Sequence, residues 1–153
     1  MLDRFEQFTT LISAIYRDIQ KIERDEMEKR GLRGAYAQYL LALMQNPQGL
    51  TAAQLCDACE KDKAAVSRAV SELESKGFLS RNTEKSNAYR AVLTLTEKGT
   101  EAARFVSNRA ALAVEQAGKG ISDPDRKVFY AALGLIASNL QAISKEGIPN
   151  IQV

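Results

Sequence analysis

Residues 50–77, LTAAQLCDACEKDKAAVSRAVSELESKG, decide the fold. Thr51 and Gln54 have capping-box spacing, in which hydroxyl and amide each satisfy a free backbone N–H at a helix start. The helix they open is short and ends near Cys59. Asp62 is a good N-cap for a second, longer helix. Its apolar positions Val66, Ala69, Val70 and Leu73 recur at helical spacing, and Gly77 terminates it. A short helix, a tight turn and a longer helix in succession have the spacing of a helix-turn-helix.

Downstream the period changes from helix to strand. Phe78–Arg81 reads as a short strand, residues 82–87 are polar and turn-forming, and Ala88–Leu95 alternates. Tyr89, Ala91, Leu93 and Leu95 fall on one face and Arg90, Val92 and Thr94 on the other. A hairpin directly after a helix-turn-helix is a wing. Upstream, Leu2, Phe5, Phe8, Ile12, Ile15, Ile19 and Ile22 step by three and four, which predicts one amphipathic helix of roughly 25–28 residues. Gly31 and Gly34 interrupt it, and a second helix is expected from Ala35 to Gln45, stopped by Asn46-Pro47-Gln48-Gly49. Thr96 is the expected cap of a helix reaching Ala117, and Ser122 the cap of a last one. In that last helix Phe129, Leu133, Ile136, Leu140 and Ile143 form a near-heptad stripe suited to a partner helix. The reading is a mostly α chain with a small β-hairpin wing: a winged helix-turn-helix at 34–98, between a long helix at 1–33 and two further helices at 99–153.

Composition narrows the chemistry. The 153 residues are 45% hydrophobic and 26% charged, enough for a core without disulfides or metal. Histidine is absent, which excludes Ser-His-Asp and Cys-His catalysis and weighs against zinc-hydrolase sites. There is no Gly-rich phosphate loop. The expectation is a protein that is not an enzyme and needs no cofactor. Lacking an apolar run long enough to span a membrane, and a basic segment leading into an apolar block at the start, it is expected in the cytoplasm. Net charge is +2, unevenly spread. Residues 1–60 carry seven basic and nine acidic side chains, residues 61–98 eight and five, residues 99–153 six and five. The positive excess lies in the helix-turn-helix and hairpin, a modest footprint for a polyanion.

A helix that reads the major groove buries one face and offers short polar or basic side chains on the other. In the helix after Asp62, the outward residues Lys63, Ala64, Ser67, Arg68 and Ser71 meet that need. Arg68 suits bidentate pairing with guanine, Ala64 and Ala65 suit thymine methyls, and Ser67 suits a base or phosphate. Arg81, Lys85 and Arg90 on the wing are candidates for the minor groove or its phosphates, and Lys76 completes the DNA-binding set.

The series Leu50–Cys56, Asp62–Arg68, Leu73–Arg81 and Leu93–Gly99, with one long helix before it and two after, resembles the MarR family of bacterial transcriptional regulators. The resemblance implies a homodimer interlocked through the first, fifth and sixth helices, with double-stranded DNA as partner and one reading helix per half-site of a pseudo-palindromic operator. It implies repression relieved by a small-molecule effector seated between the helix-turn-helix and the dimer helices, with Ile15, Ile19, Tyr36 and Tyr39 as candidate lining. Plain core packing is the competing reading for those four. Two positions depart from the family pattern. Where its wing carries Asp-x-Arg, Asn87 and Tyr89 stand here, with Arg90 one residue late. Glu60 occupies a turn position that often carries glycine, which matters if φ is positive there.

Cys56 and Cys59 form a Cys-x-x-Cys. Asp57 and Glu60 beside them disfavour thiolate, two further soft zinc ligands are lacking, and small buried hydrophobes are the simpler reading. Two alternatives to the regulator are a winged-helix module that binds another protein and not DNA, and a thiol oxidoreductase. The missing histidine and the lack of a βαβ pattern argue against the latter.

Overall fold

The computed structural model describes residues 2–82 and 91–149. Helix α1 spans Leu2–Glu28, a 3-10 turn Gly34–Tyr36 leads into α2 (Ala37–Gln45), and β1 is Leu50–Thr51. Then follow α3 (Ala52–Cys59), α4 (Lys63–Ser75), β2 (Leu79–Asn82), β3 (Val92–Leu95), α5 (Glu97–Ala117) and α6 (Asp123–Glu146). The chain divides after Val114 into two compact units.

In the first unit, the helix starts form as their sequences dictate. The Thr51 hydroxyl accepts from Gln54 N at 3.2 Å while Gln54 Oε1 accepts from Thr51 N at 2.9 Å, a complete capping box on α3. Asp62 Oδ1 accepts from Ala65 N at 2.8 Å and caps α4. Leu40, Leu43, Leu55, Val66, Leu73, Leu93 and Val106 are fully buried and fuse α2 to α5 and the sheet into one core with Met27 of α1. Burying each such side chain contributes roughly 1.5–3 kcal/mol.

The wing is a three-stranded antiparallel sheet in the order β1-β3-β2, one strand more than the hairpin read from sequence. Leu50 pairs with Leu93, and Leu79 with Leu95. The alternation holds from Ala91 to Thr94, where Ala91 and Leu93 are buried and Val92 and Thr94 partly exposed, but Leu95, expected on the buried face, is also only partly buried. Residues 83–90, including the hairpin tip with Lys85 and Arg90, lie outside the described residues.

Between α3 and α4, Glu60 adopts φ +51°, the left-handed region, the one non-glycine residue with positive φ among those described. A side chain there costs about 1–2 kcal/mol, part of which glycine would return as unfolded-state entropy. Glu60→Gly should therefore raise stability by about 0.5–1 kcal/mol, read as a higher urea midpoint at unchanged slope. A fall in midpoint would mean that Glu60 makes a stabilising contact outweighing its backbone strain.

In the second unit Ser122 caps α6, its Oγ accepting from Asp125 N at 3.3 Å, with Pro124 in the first turn. Arg126 reaches Glu115 at 3.1 Å and the Gly118 carbonyl at 3.1 Å, tying the α5–α6 turn to the start of α6. No described residue of α6 is buried, and Val128, Phe129, Leu135, Ile136 and Leu140 are exposed apolar side chains along it.

Candidate nucleic-acid interface

Helix α4 sorts its residues by face. Val66, Ala69, Val70 and Leu73 are buried, and Lys63, Ala64, Ser67, Arg68 and Ser71 are exposed, with Ala65 half-buried between them. The outer set follows the spacing i, i+3, i+4, i+7 from Ala64, one stripe of the helix. Arg68 makes no ion pair among the described residues, so its guanidinium is available to a ligand. The acid at the start of this helix is local to the cap. The Ala65 amide bond, helped by Ala64 and Arg68, holds the Asp62 carboxyl below its ordinary value of 3.8. A carboxyl depressed on folding stabilises the native state above its unfolded value, and that stabilisation is lost as pH falls through the folded one. Asp62→Asn keeps a capping oxygen without the charge. It should match the parent near neutrality and lose less stability as the solution is acidified below 3.8. Parallel acid-unfolding curves of the two proteins would show that this cap carries no charge-dependent stabilisation.

The far end of α4 is held from behind. The Tyr36 hydroxyl donates to the Glu72 carboxylate, which also meets Lys76 Nζ at 2.8 Å and Arg33 Nε at 3.5 Å. The Lys76 and Tyr36 bonds keep the Glu72 carboxyl below its usual range, against a smaller opposing effect of burial. This network fastens the C-terminal half of α4 to the 3-10 turn ahead of α2 and leaves the polar stripe of its N-terminal half outward.

The remaining expected DNA contacts divide. Lys76 is engaged with Glu72, and its carbonyl accepts from Lys98 Nζ at 2.8 Å. Arg81 on β2 pairs with Glu74 of α4 at 3.2 Å, with its side chain one-quarter exposed, so it braces the wing base against the reading helix. Glu72 was not marked by the sequence reading, and Tyr36 was marked there only as candidate effector lining. The Glu72–Lys76 spacing of four was a legible helix pair, but the Tyr36 partner lies 36 residues away in sequence.

The four candidate effector residues do not converge. A cleft of about 240 Å³ lies among α1, α2 and the end of α3 and is lined by Ile19, but not by the other three. Ile15 is half-exposed on α1. Tyr36 and Tyr39 are buried, Tyr36 bonded to Glu72 and Tyr39 in the core with its ring 6.4 Å from that of Tyr36. Cys56 and Cys59 are free thiols, both partly buried. Burial pushes the Cys59 thiol up to about 11, and its Sγ lies 3.7 Å from the Gln38 carbonyl, so it stays protonated near neutral pH. Among the described residues no group of three or more acidic, Cys or His side chains is arranged to hold a metal, and no helix is long and apolar enough to cross a membrane.

Comparison with known proteins agrees with this architecture. The MarR family model matches residues 30–88. A Bacillus subtilis (strain 168) protein named as an uncharacterized HTH-type transcriptional regulator, YybA, is 26% identical over 131 residues, covering 85% of this chain and 86% of the relative. A MarR-family transcriptional regulator from Listeria monocytogenes, solved in complex with 26mer DNA, shares the fold at TM-score 0.71 and 24% identity, over 94% of this chain and 97% of that one. A MarR transcriptional regulator from Methanosarcina mazei Go1 superposes at TM-score 0.76 with 23% identity, over 90% of this chain and 99% of that one. With the capped helix pair, the braced wing and the flanking helices in this order, the chain shares the fold of these solved structures and is similar over residues 30–88 to the MarR family of transcriptional regulators.

Proposed function

We propose that the protein is a cytoplasmic homodimer that binds a pseudo-palindromic operator in double-stranded DNA, represses by occluding a promoter, and is released by a small molecule. The observation that carries the DNA-binding part is the exposed stripe Ala64, Ser67, Arg68 and Ser71 on a helix whose other face is core. A helix so mounted fits a major groove, its N-terminal half toward the bases and its capped end toward phosphate. The DNA complex of the Listeria monocytogenes relative supports the same reading. Pairing is supported by exposed apolar side chains on the outer helices. Phe5, Leu11 and Ile15 on α1 are more than half exposed, as are Leu135 and Leu140 on α6. Such patches mark protein interfaces, and residues 1–33 and 99–153 are the proposed dimerisation regions around a DNA-binding domain at 34–98.

Selection of bound sequences from a random duplex pool at fixed salt, with sedimentation of the free protein, tests the reading. A two-fold symmetric motif with half-sites one helical turn apart, from a sedimenting dimer, is the expected result. Weak, salt-sensitive binding without a motif would replace it with a winged-helix module that binds protein.

A further inference from the structure

We propose that Tyr36 and Glu72 are positioning residues for base readout: their bond fixes the roll of α4 about its own axis and so decides whether the Arg68 guanidinium meets a base edge. The role rests on the proposed DNA-binding function. Val66, Ala69, Val70 and Leu73 seat α4 in the core, and three of these four side chains are short. Hydrophobic contact is non-directional. Such a stripe sets which face is buried but holds the roll less sharply than directional bonds at the flanks do.

Two acids stand at those flanks. At about 100° per residue, Glu72 and Glu74 lie roughly 200° apart on α4, to either side of the buried stripe. Glu74 pairs with Arg81 of β2 on the wing side. On the other side the Glu72 carboxylate divides its oxygens. Oε1 meets Lys76 at 2.8 Å, and Oε2 accepts from the Tyr36 hydroxyl with Arg33 Nε 3.5 Å away. Lys76 follows Glu72 by one turn and ties α4 to no other element. The Arg33 side chain is 73% exposed, and so open an ion pair holds little. The bond from Tyr36 is thus the tie that sets this flank. Its donor is itself fixed. The Tyr36 ring is buried in the core, and burial, then the Glu72 bond, pushes its phenol up, so the proton stays on the donor. Two residues earlier, a Cβ on Gly34 would come within 2.9 Å of Arg24 Cβ and 3.1 Å of the Arg24 carbonyl oxygen, so the 3-10 turn is pressed against the end of α1 without slack.

Small angles matter at the surface of a helix. With its side chains a helix has a radius of about 5–6 Å, so a roll of about 10° moves its surface by roughly 1 Å. A hydrogen bond tolerates a range of only about 0.5 Å in length, and a bidentate arginine–guanine pair needs two such bonds at once. A phosphate contact acts through charge at longer range and survives the same shift. Arg68 stands one turn before Glu72, on the same helix. Loss of the Tyr36 bond is therefore felt in discrimination between sequences and hardly at all in affinity for duplex as such.

The test is binding of the full chain to the selected operator and to a scrambled duplex at one salt concentration, with each variant first confirmed as folded by circular dichroism. Tyr36→Phe keeps the buried ring and leaves Glu72 with Lys76 and Arg33. It should weaken operator binding about tenfold and change binding of the scrambled duplex by less than about twofold. Glu72→Gln keeps an acceptor for the hydroxyl and should retain at least about a third of the parent's operator affinity. Because Tyr36 acts through Arg68, adding Tyr36→Phe to Arg68→Ala should leave the ratio of the two affinities where Arg68→Ala alone puts it. An unaltered ratio in Tyr36→Phe, equal weakening on both duplexes, a loss in Glu72→Gln as large as that in Tyr36→Phe, or a full second loss in the double variant overturns the positioning role and leaves DNA binding standing. A parent protein without operator preference is instead a failure of the proposed function, and the positioning role falls with it.

Discussion

Replacing Gly99 with alanine is expected to lower stability by about 2 kcal/mol or more, although alanine is the better helix former by about 1 kcal/mol. The residue lies in the first turn of α5, and a Cβ there would fall inside the van der Waals radius of the Phe78 carbonyl oxygen. That carbonyl has nowhere to go. It accepts from Thr96 N at 3.1 Å, its neighbour the Gly77 carbonyl accepts from the Thr96 hydroxyl at 2.7 Å, and Thr96 Oγ1 in turn caps Gly99 N at 3.1 Å. Lys98 adds its ammonium over the Phe78 ring at 4.3 Å and its bond to the Lys76 carbonyl. The end of α4, the start of β2 and the start of α5 are thus one knot with no slack, and overpacking such a site costs typically 1–3 kcal/mol and sometimes more. Gly134 in α6 is the contrast, with nothing within 4 Å of its would-be Cβ. Urea unfolding of Gly99→Ala and Gly134→Ala side by side checks the argument. A Gly99→Ala protein as stable as the parent would mean that the junction yields freely and does not set the base of the wing.

What could be read from sequence and what could not separate along the same physical line. The α3 capping box and the Asp62 cap close within three residues, so residue type and spacing suffice to predict them. The buried and exposed faces of α4 follow from a period of 3.6 acting on Val66, Val70 and Leu73. Strand β1 escaped the reading because a two-residue strand has no period, and it exists through pairing with β3 some forty residues on. Tyr36 and Tyr39 were grouped with Ile15 and Ile19 as residues of the first and second helices beside the effector site that the resemblance implies. The 3-10 turn Gly34–Tyr36 winds at three residues per turn, and Tyr36 is directed to Glu72, a destination that local sequence does not encode. The departure at Glu60 was visible as a missing glycine, yet its cost became definite only with φ at +51°. For Arg81, charge and position suggested a groove contact, while the structure adds a nearer partner in Glu74. Lys85 and Arg90 lie outside the described residues, so the offset of the wing arginine keeps its standing as a sequence observation.

Arg68→Ala bears the largest expected effect on function. The side chain stands on the exposed stripe of α4 between Ser67 and Ser71, unpaired among the described residues, with the helix behind it anchored by Val66, Ala69 and Val70. Its removal should leave the fold intact, since no contact of the core depends on it. A bidentate arginine–guanine pair is worth about 1–3 kcal/mol of discrimination. In the proposed dimer the loss is taken at both half-sites, about 2–6 kcal/mol together, which is roughly a 30-fold to 10⁴-fold fall in operator affinity. Affinity for unrelated duplex should fall far less, because only a phosphate-range charge is lost there, and the salt slope should flatten by about one for each arginine removed. Binding isotherms on the selected operator and on a scrambled duplex, each at several salt concentrations, distinguish the two contributions. If Arg68→Ala weakens both duplexes equally and keeps the parent's base preference, Arg68 grips phosphate and does not read a base, and sequence recognition passes to Ser67, Ser71 and the methyl faces of Ala64 and Ala65. If neither duplex is affected, the exposed stripe of α4 is not the surface that meets DNA.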